Sequence, residues 1–330
     1  MAGGSYTNFP DGLTSMGVPL VGSLSGIPFT GNWYFVDAVH GSDGNTGGAE
    51  DPLQTITRAY ALCTEGNNDV VILMSAPTTA APTTGTFRLS AQLDWAKSAT
   101  HMIGMTAPTM IGQRARISTA SGATANIADL FKVSAQGCYF ANFSIFQGVG
   151  QASTDEQLCQ ITGLRNAFYN VAFQGMGSAA GAARAGSYVL HLNGAEENTF
   201  INCTIGVDTQ SRSAANASVK LRGASARNVF QNCLFPLYAT ATSPLVVDSN
   251  AASSVDRFNW FKECAIINTG SSALAGVVGF NASQGGIIFM DNCSAVKCTD
   301  WTATDTATVQ ITGAVPNGDT SGMAVDSNAT

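Results

Sequence analysis

Tyr139-Phe-Ala-Asn-Phe-Ser-Ile145 returns in altered form five times: Ala167-Phe-Tyr-Asn-Val-Ala-Phe173, Thr199-Phe-Ile-Asn-Cys-Thr-Ile205, Val229-Phe-Gln-Asn-Cys-Leu-Phe235, Trp260-Phe-Lys-Glu-Cys-Ala-Ile266 and Phe289-Met-Asp-Asn-Cys-Ser-Ala295. The shared form is large apolar, any, Asn, Cys or apolar, any, apolar. The marker positions are Asn142, Asn170, Asn202, Asn232, Glu263 and Asn292, so the intervals are 28, 32, 30, 31 and 29. A period near 30 with loops of unequal length is the signature of a solenoid.

Working outward, each unit carries an alternating strand upstream: Phe131-Lys-Val133, Cys159-Gln-Ile161, Leu190-His-Leu192, Val219-Lys-Leu221, Val246-Val247 and Val278-Gly-Phe280. No helical period runs through the units. Asn suits a tight bend because its short side chain tolerates the left-handed backbone, and stacked amides can bond from coil to coil. The pattern predicts an all-β chain, a right-handed parallel β-helix. Phe140, Phe168, Phe200, Phe230 and Phe261 are expected to stack inward, beside a column of buried, reduced Cys203, Cys233, Cys264 and Cys293. Six repeats and about three earlier coils, at a strand spacing of about 4.8 Å, predict roughly nine coils in a rod about 40–45 Å long.

The earlier coils are less regular, with strands expected at Asp69–Ser75, His101–Met105 and Ala115–Ser118. Before them, Leu53, Ile56, Ala59, Leu62 and Cys63 share one helical face, and Pro52 suits a first helical position. A helix near 52–63 would cap the open end of the stack, which otherwise exposes core and strand edges. The division expected is an extended N-terminal arm at 1–31, the β-helix at 32–300, and a C-terminal strand and arm at 301–330. In the first arm, Phe9, Leu13, Met16, Val18 and Ile27 are isolated apolar residues among Gly, Pro, Ser and Thr, unable to form a core alone.

Charge narrows the function classes. Fifteen Lys+Arg against 22 Asp+Glu give −7, and charged residues are 11% of the chain, against roughly 25% in typical soluble domains. A nucleic-acid surface needs a basic stripe that this chain lacks, and no apolar run approaches the roughly 20 residues of a membrane helix. Neither nucleic acid nor membrane is an expected partner. No basic-then-apolar leader opens the sequence, so assembly in the cytosol with reduced thiols is expected.

Chemistry-bearing clusters are few. Asp37, Asp43 and Asn45 lie on the Gly-rich loop 37–48, where oxygen ligands could hold Ca²⁺; the same residues also build a turn before the helix, and that reading is preferred, with no metal or cofactor expected. A glycan-cleaving pair would draw on Asp155, Glu156, Glu196, Glu197, Asp208, Asp248 and Asp256, which fall mostly in loops. Arg165, Arg184, Arg212, Arg222, Arg227 and Arg257 show no consistent strand position beside an acidic cluster. No catalytic residue, and no enzymatic activity, is expected.

The opening Thr7-Asn-Phe-Pro-Asp-Gly-Leu-Thr-Ser-Met-Gly-Val-Pro19, with Trp33-Tyr-Phe-Val-Asp37, Gly41-Ser-Asp-Gly-Asn-Thr-Gly47, Asp51-Pro-Leu-Gln-Thr-Ile56 and Val70-Val-Ile-Leu73, resembles the N-terminal region of tailed-bacteriophage virion proteins with a pectate-lyase-like β-helix. The resemblance implies a virion component, without catalytic residues to carry over. The function expected is a capsid decoration, or cement, protein on the outer shell of the virion, made in the host cytoplasm. A surface poor in charge suits rods that pack against one another as a homotrimer, and the arm residues would bury themselves against the major capsid protein. The alternative is a tailspike-like protein that binds or depolymerises glycan.

Overall fold

The computed structural model describes residues 30–74, 87–119, 127, 129–148, 155–281, 283, 285–302 and 309–312, and the backbone of short ladders at 14–15, 18–19, 314–316 and 323–325. The chain is a right-handed parallel β-helix of about seven turns. Each complete coil contributes one strand to each of three parallel sheets. Sheet 1 holds Leu93–Trp95, Phe131–Val133, Gln157–Ile161, Tyr188–Asn193, Ala217–Arg222, Leu245–Ser249 and Val278–Phe280. Sheet 2 begins with Trp33–Val36, Val70–Met74 and His101–Met105, runs through the repeat strands from Tyr139–Ala141 to Gly285–Asp291, and ends with Val309–Thr312. Sheet 3 follows the Asn bend, from Phe87–Leu89 and Arg116–Thr119 through Ser144–Phe146 to Ser294–Val296. The expectation of nine coils is corrected to seven complete ones, because the first strands of sheets 2 and 3 precede any strand of sheet 1.

Strand alternation sends every second side chain inward, and parallel in-register pairing places like upon like. Phe140, Phe168, Phe200, Phe230 and Phe261 are Cα partners in sequence. Their rings stack at 4.8, 4.8, 4.5 and 4.5 Å, within 12° of parallel. Met102 and Met290 continue the column at its two ends. Beside it, the thiols of Cys203, Cys233, Cys264 and Cys293 donate to the carbonyls of Phe168, Phe200, Phe230 and Phe261 at 3.5, 3.5, 3.4 and 3.2 Å. All eight cysteines are free and buried, and burial pushes the Cys233 thiol well up. A thiol titration should therefore find eight reactive groups in denaturant without reductant and far fewer in the native protein. A count below eight that rises on reduction would contradict the arrangement.

Two asparagine ladders brace the strands of sheet 2. At the exit bend, Asn142, Asn170, Asn202, Asn232 and Asn292, with Glu263, all adopt φ between 49° and 59°, and Asn170 donates to the Asn142 side chain at 2.9 Å. At the entry bend, Asn166, Asn198, Asn228 and Asn259 form a fully buried ladder. Asn198 Oδ1 accepts from the Asn166 backbone and amide, Asn228 Oδ1 does the same for Asn198, and Asn228 donates to Asn259. These amides satisfy the peptide groups that a turn inside a solenoid would otherwise leave orphaned.

The helix spans Ile56–Leu62, capped by Thr55, whose hydroxyl accepts from Arg58 N. It starts later than the expected 52–63 because Pro52 belongs to the preceding loop, its carbonyl accepting from Ser42 N and the Asn45 amide. Ile56 and Ala59 bury against the core. Phe9, Leu13, Met16 and Ile27 lie outside the described residues, and Val18 is described only as backbone, in an antiparallel ladder with Ser15.

Candidate functional site

The outer face of sheet 1 carries a polar row, one residue per coil. Asp94, Lys132, Gln160, His191, Lys220 and Asp248 are successive Cα partners, and Gly279 follows. Each is flanked within its strand by buried residues, apolar on both sides for all but Asp248, which lies between Val247 and Ser249, as Lys132 lies between Phe131 and Val133. The core thus dictates that the intervening side chain points outward. Six strands at about 4.8 Å make the row about 24 Å long.

Neighbouring groups tie the middle of the row together. Arg222, on the strand of Lys220, donates from Nη2 to Asp248 Oδ2 at 2.7 Å and from Nη1 to the Asp248 carbonyl at 3.0 Å. The Lys220 ammonium lies 5.3 Å from the centre of the Tyr188 ring, and that ring meets His191 edge-on at 4.9 Å. Tyr188 Oη donates to Asp129 Oδ1 at 2.8 Å. His191 is 8% exposed; its Nδ1 is 3.4 Å from Gln160 Nε2, while its Nε2 is buried without a hydrogen-bond partner. Burial, then the cations Lys220 and Arg222, bring its pKa down to about 4, so the imidazole is neutral at pH 7. Burial also pushes the Asp129 carboxyl up.

The candidates read from the sequence are placed elsewhere or engaged, Asp248 and Arg222 excepted. Asp37 accepts from Val39 N, His40 N and the His40 ring. Asp43 holds Gln54 N, Thr55 N and the Thr55 hydroxyl at the helix start, and the Asn45 amide is tied to Pro52. Their polar atoms therefore brace the loop rather than converge on one point. Among the described residues, no three His, Cys, Asp or Glu are placed to hold a metal. Glu156 is buried, accepting from Gly177 N and the Ser178 hydroxyl, and burial pushes its pKa up to about 7. Arg212 is also buried, bonded to Asn216, Ser218 and the Leu245 carbonyl. Asp208 is exposed in a loop, and Asp256 accepts from Arg257 N.

The arginines expected at scattered positions are in part aligned. Arg165, Glu197 and Arg227 do share a position: all are left-handed residues at the entry bend of successive coils. They form an ion-pair ladder, Arg165 to Glu197 at 2.5 Å and Glu197 to Arg227 at 2.8 Å, with Glu196 joining Arg227 at 2.9 Å. The hydrogen bonds from Arg227 and Arg165 lower the Glu197 pKa. The second carboxylate pair is therefore a turn brace.

No family model and no curated protein matches the chain. Solved structures do match. The crystal structure of the pectin methylesterase from Aspergillus niger aligns over 88% of this chain and 87% of that one, at 14% identity and a TM-score of 0.54. A rhamnogalacturonan lyase aligns over 90% of each chain, at 14% identity and a TM-score of 0.50. At such identities the likeness is one of fold: the chain has the pectate-lyase-like parallel β-helix. The expectation of a non-enzymatic chain is overturned by this comparison, since the structures that share the fold are enzymes, an esterase and a lyase.

Proposed function

We propose that this protein is a tailspike-like, polysaccharide-acting β-helix protein that binds an anionic glycan lengthwise along the outer face of sheet 1. The observation that carries the reading is the row itself. A linear polysaccharide is a repeating chain, and the row offers a polar group every strand spacing for about 24 Å. Two of the chain's five lysines, Lys132 and Lys220, lie on it, with Arg222 beside them. That is a high share for a chain so poor in charge, and it suits carboxylates or other anionic sugar substituents. The likeness in fold to a pectin methylesterase and a rhamnogalacturonan lyase supports the same class of ligand. The phage setting is supported by the resemblance at residues 7–19. The decoration role, with its capsid partner, gains no support from the comparisons, which favour the glycan alternative.

The row suits elimination better than hydrolysis. Hydrolysis uses two carboxyl groups about 5–10 Å apart, whereas Asp94 and Asp248 are five strand spacings apart, about 24 Å. A neutral imidazole beside an ammonium offers a different pairing. Lys220 would hold a uronate carboxylate and stabilise the charge developing next to it, and His191 would take the proton from the adjoining carbon; the electron pair left there forms the carbon–carbon double bond as the glycosidic C–O bond on the next carbon breaks, and the departing oxygen takes its proton from water.

The test is binding and turnover with polygalacturonate and with host surface polysaccharide. Wild type is expected to bind, and Lys220→Ala to bind about tenfold more weakly or worse, because a charge-assisted bond contributes about 1.5–3 kcal/mol. His191→Ala is expected to bind but to release no unsaturated sugar ends. If wild type neither binds nor cleaves any anionic polysaccharide, or if both variants match it, the reading is wrong.

A further inference from the structure

A second basic cluster lies on a different face, at the N-terminal end of sheet 3. The strands Phe87–Leu89 and Arg116–Thr119 are parallel neighbours, with buried Phe87 opposite buried Ile117. Alternation then puts Arg88 and Arg116 on the outer face as diagonal neighbours. Arg114 is exposed two residues before Arg116. Residues 70–93 and 95–128 contain no Asp or Glu, so Asp94 is the one acidic residue between Asp69 and Asp129. Among the described residues, neither Arg114 nor Arg116 takes part in an ion pair. In a chain of net charge −7 this is a local reversal of sign.

The cluster is also built rather than scattered. The Arg116 guanidinium lies over the Phe146 ring at 4.2 Å. The ring itself rests on two glycines, for a Cβ at Gly148 would come within 2.4 Å of it and one at Gly177 within 2.7 Å. The contact with the ring holds the guanidinium in place in advance, which reduces the ordering cost of binding. Arg116 Nε is buried without a hydrogen-bond partner, an orphan donor of the kind native folds seldom leave unused. Arg88 is held by donation from Nη1 to the Thr119 carbonyl at 2.9 Å. Burial first, then the charges of Arg88 and Arg114, lower the Arg116 pKa, and a bound anion would relieve that repulsion.

We propose that Arg88, Arg114 and Arg116 form an oxyanion-binding site on sheet 3, separate from the row on sheet 1, that takes a phosphate, sulfate or carboxylate group. The fork of Arg116 supplies directed donors, and Arg88 and Arg114 supply charge. Such a group could come from a phosphorylated or sulfated surface polymer or from a uronate, and affinity tells these sources apart.

The experiment is a calorimetric titration of the full chain at low ionic strength with inorganic phosphate, inorganic sulfate and galacturonate. At least one should bind wild type, and the tightest identifies the source. Arg116→Ala should weaken that binding about tenfold, the equivalent of one lost charge-assisted bond, with Arg116→Lys in between. Arg114 is exposed, so Arg114→Ala tests the site without disturbing the fold, and it too should weaken binding. The proposal is overturned if none of the three anions binds, or if Arg114→Ala and Arg116→Ala bind as wild type does.

Discussion

Phe200→Ala lowers the unfolding free energy by about 3–5 kcal/mol, the range for truncating a fully buried phenylalanine. The side chain is 0% exposed. Its ring is stacked between Phe168 at 4.8 Å and Phe230 at 4.5 Å and meets Phe173 at 6.3 Å. Main-chain hydrogen bonds on both sides hold the neighbouring coils at the strand spacing, so they cannot collapse into the space the ring leaves. The loss therefore includes the cavity as well as the transfer term. Tyr169 stands next to Phe168 but points outward and is 38% exposed. Tyr169→Ala is expected to cost under about 1 kcal/mol. Denaturant unfolding of the two variants compares the faces directly, and similar small losses would mean that the Phe column is not the core.

Acidification from pH 7 to 4 removes about 3 kcal/mol of stability. His101 and His191 are buried, 4% and 8% exposed, and burial brings each pKa from 6.5 to about 4. For His101 the geometry agrees, since its Nδ1 accepts from Tyr139 N at 3.0 Å and a protonated nitrogen cannot accept. The unfolded chain thus binds protons below pH 6.5 that the folded chain refuses. Each histidine contributes stability that is present above pH 6.5 and lost as pH falls towards 4, about 3 kcal/mol apiece. Glu156 works the other way. Its pKa is raised from 4.5 to about 7, so the folded state holds a proton that the unfolded state releases, and this favours the fold at lower pH by about 3 kcal/mol. Among these three groups two losses and one gain leave that figure, which the raised Asp129 carboxyl offsets in the same sense as Glu156, and the optimum of the three falls near pH 6.5–7. Glu156→Gln removes the compensating gain and should steepen the acid loss. Unfolding midpoints across pH 4–8 decide the matter; stability that is flat or rising on acidification would refute the protonation states assigned to both histidines.

The solenoid was legible because its period is written in large side chains. Phe at the same place in five repeats, followed two residues later by Asn or Glu, fixes both the inward column and the bend. The polar row was equally present in the strands Phe131-Lys-Val133, Cys159-Gln-Ile161, Leu190-His-Leu192 and Val219-Lys-Leu221. Read singly, each is an ordinary alternating strand whose middle residue faces solvent. Only coil-on-coil register turns four separate middle residues into one line, and register is a long-range property. The entry-bend ladder had a local signal too. Asn166, Asn198 and Asn228 each stand four residues before an exit-bend Asn, and Asn259 stands four before Glu263. Its meaning depends on burial, which a polar residue type does not announce. The arginines at 88, 114 and 116 could not be grouped from sequence, because a strand pairing across some 30 residues and the ring of Phe146 bring them together.

A crystal structure of the protein soaked with an oligogalacturonate tests the central claim most directly. The account predicts sugar density along the outer face of sheet 1, with carboxylates at Lys132 and Lys220 and a ring over the His191 position. Density confined to sheet 2 or to the loops, with that face bare at saturating ligand, would contradict it.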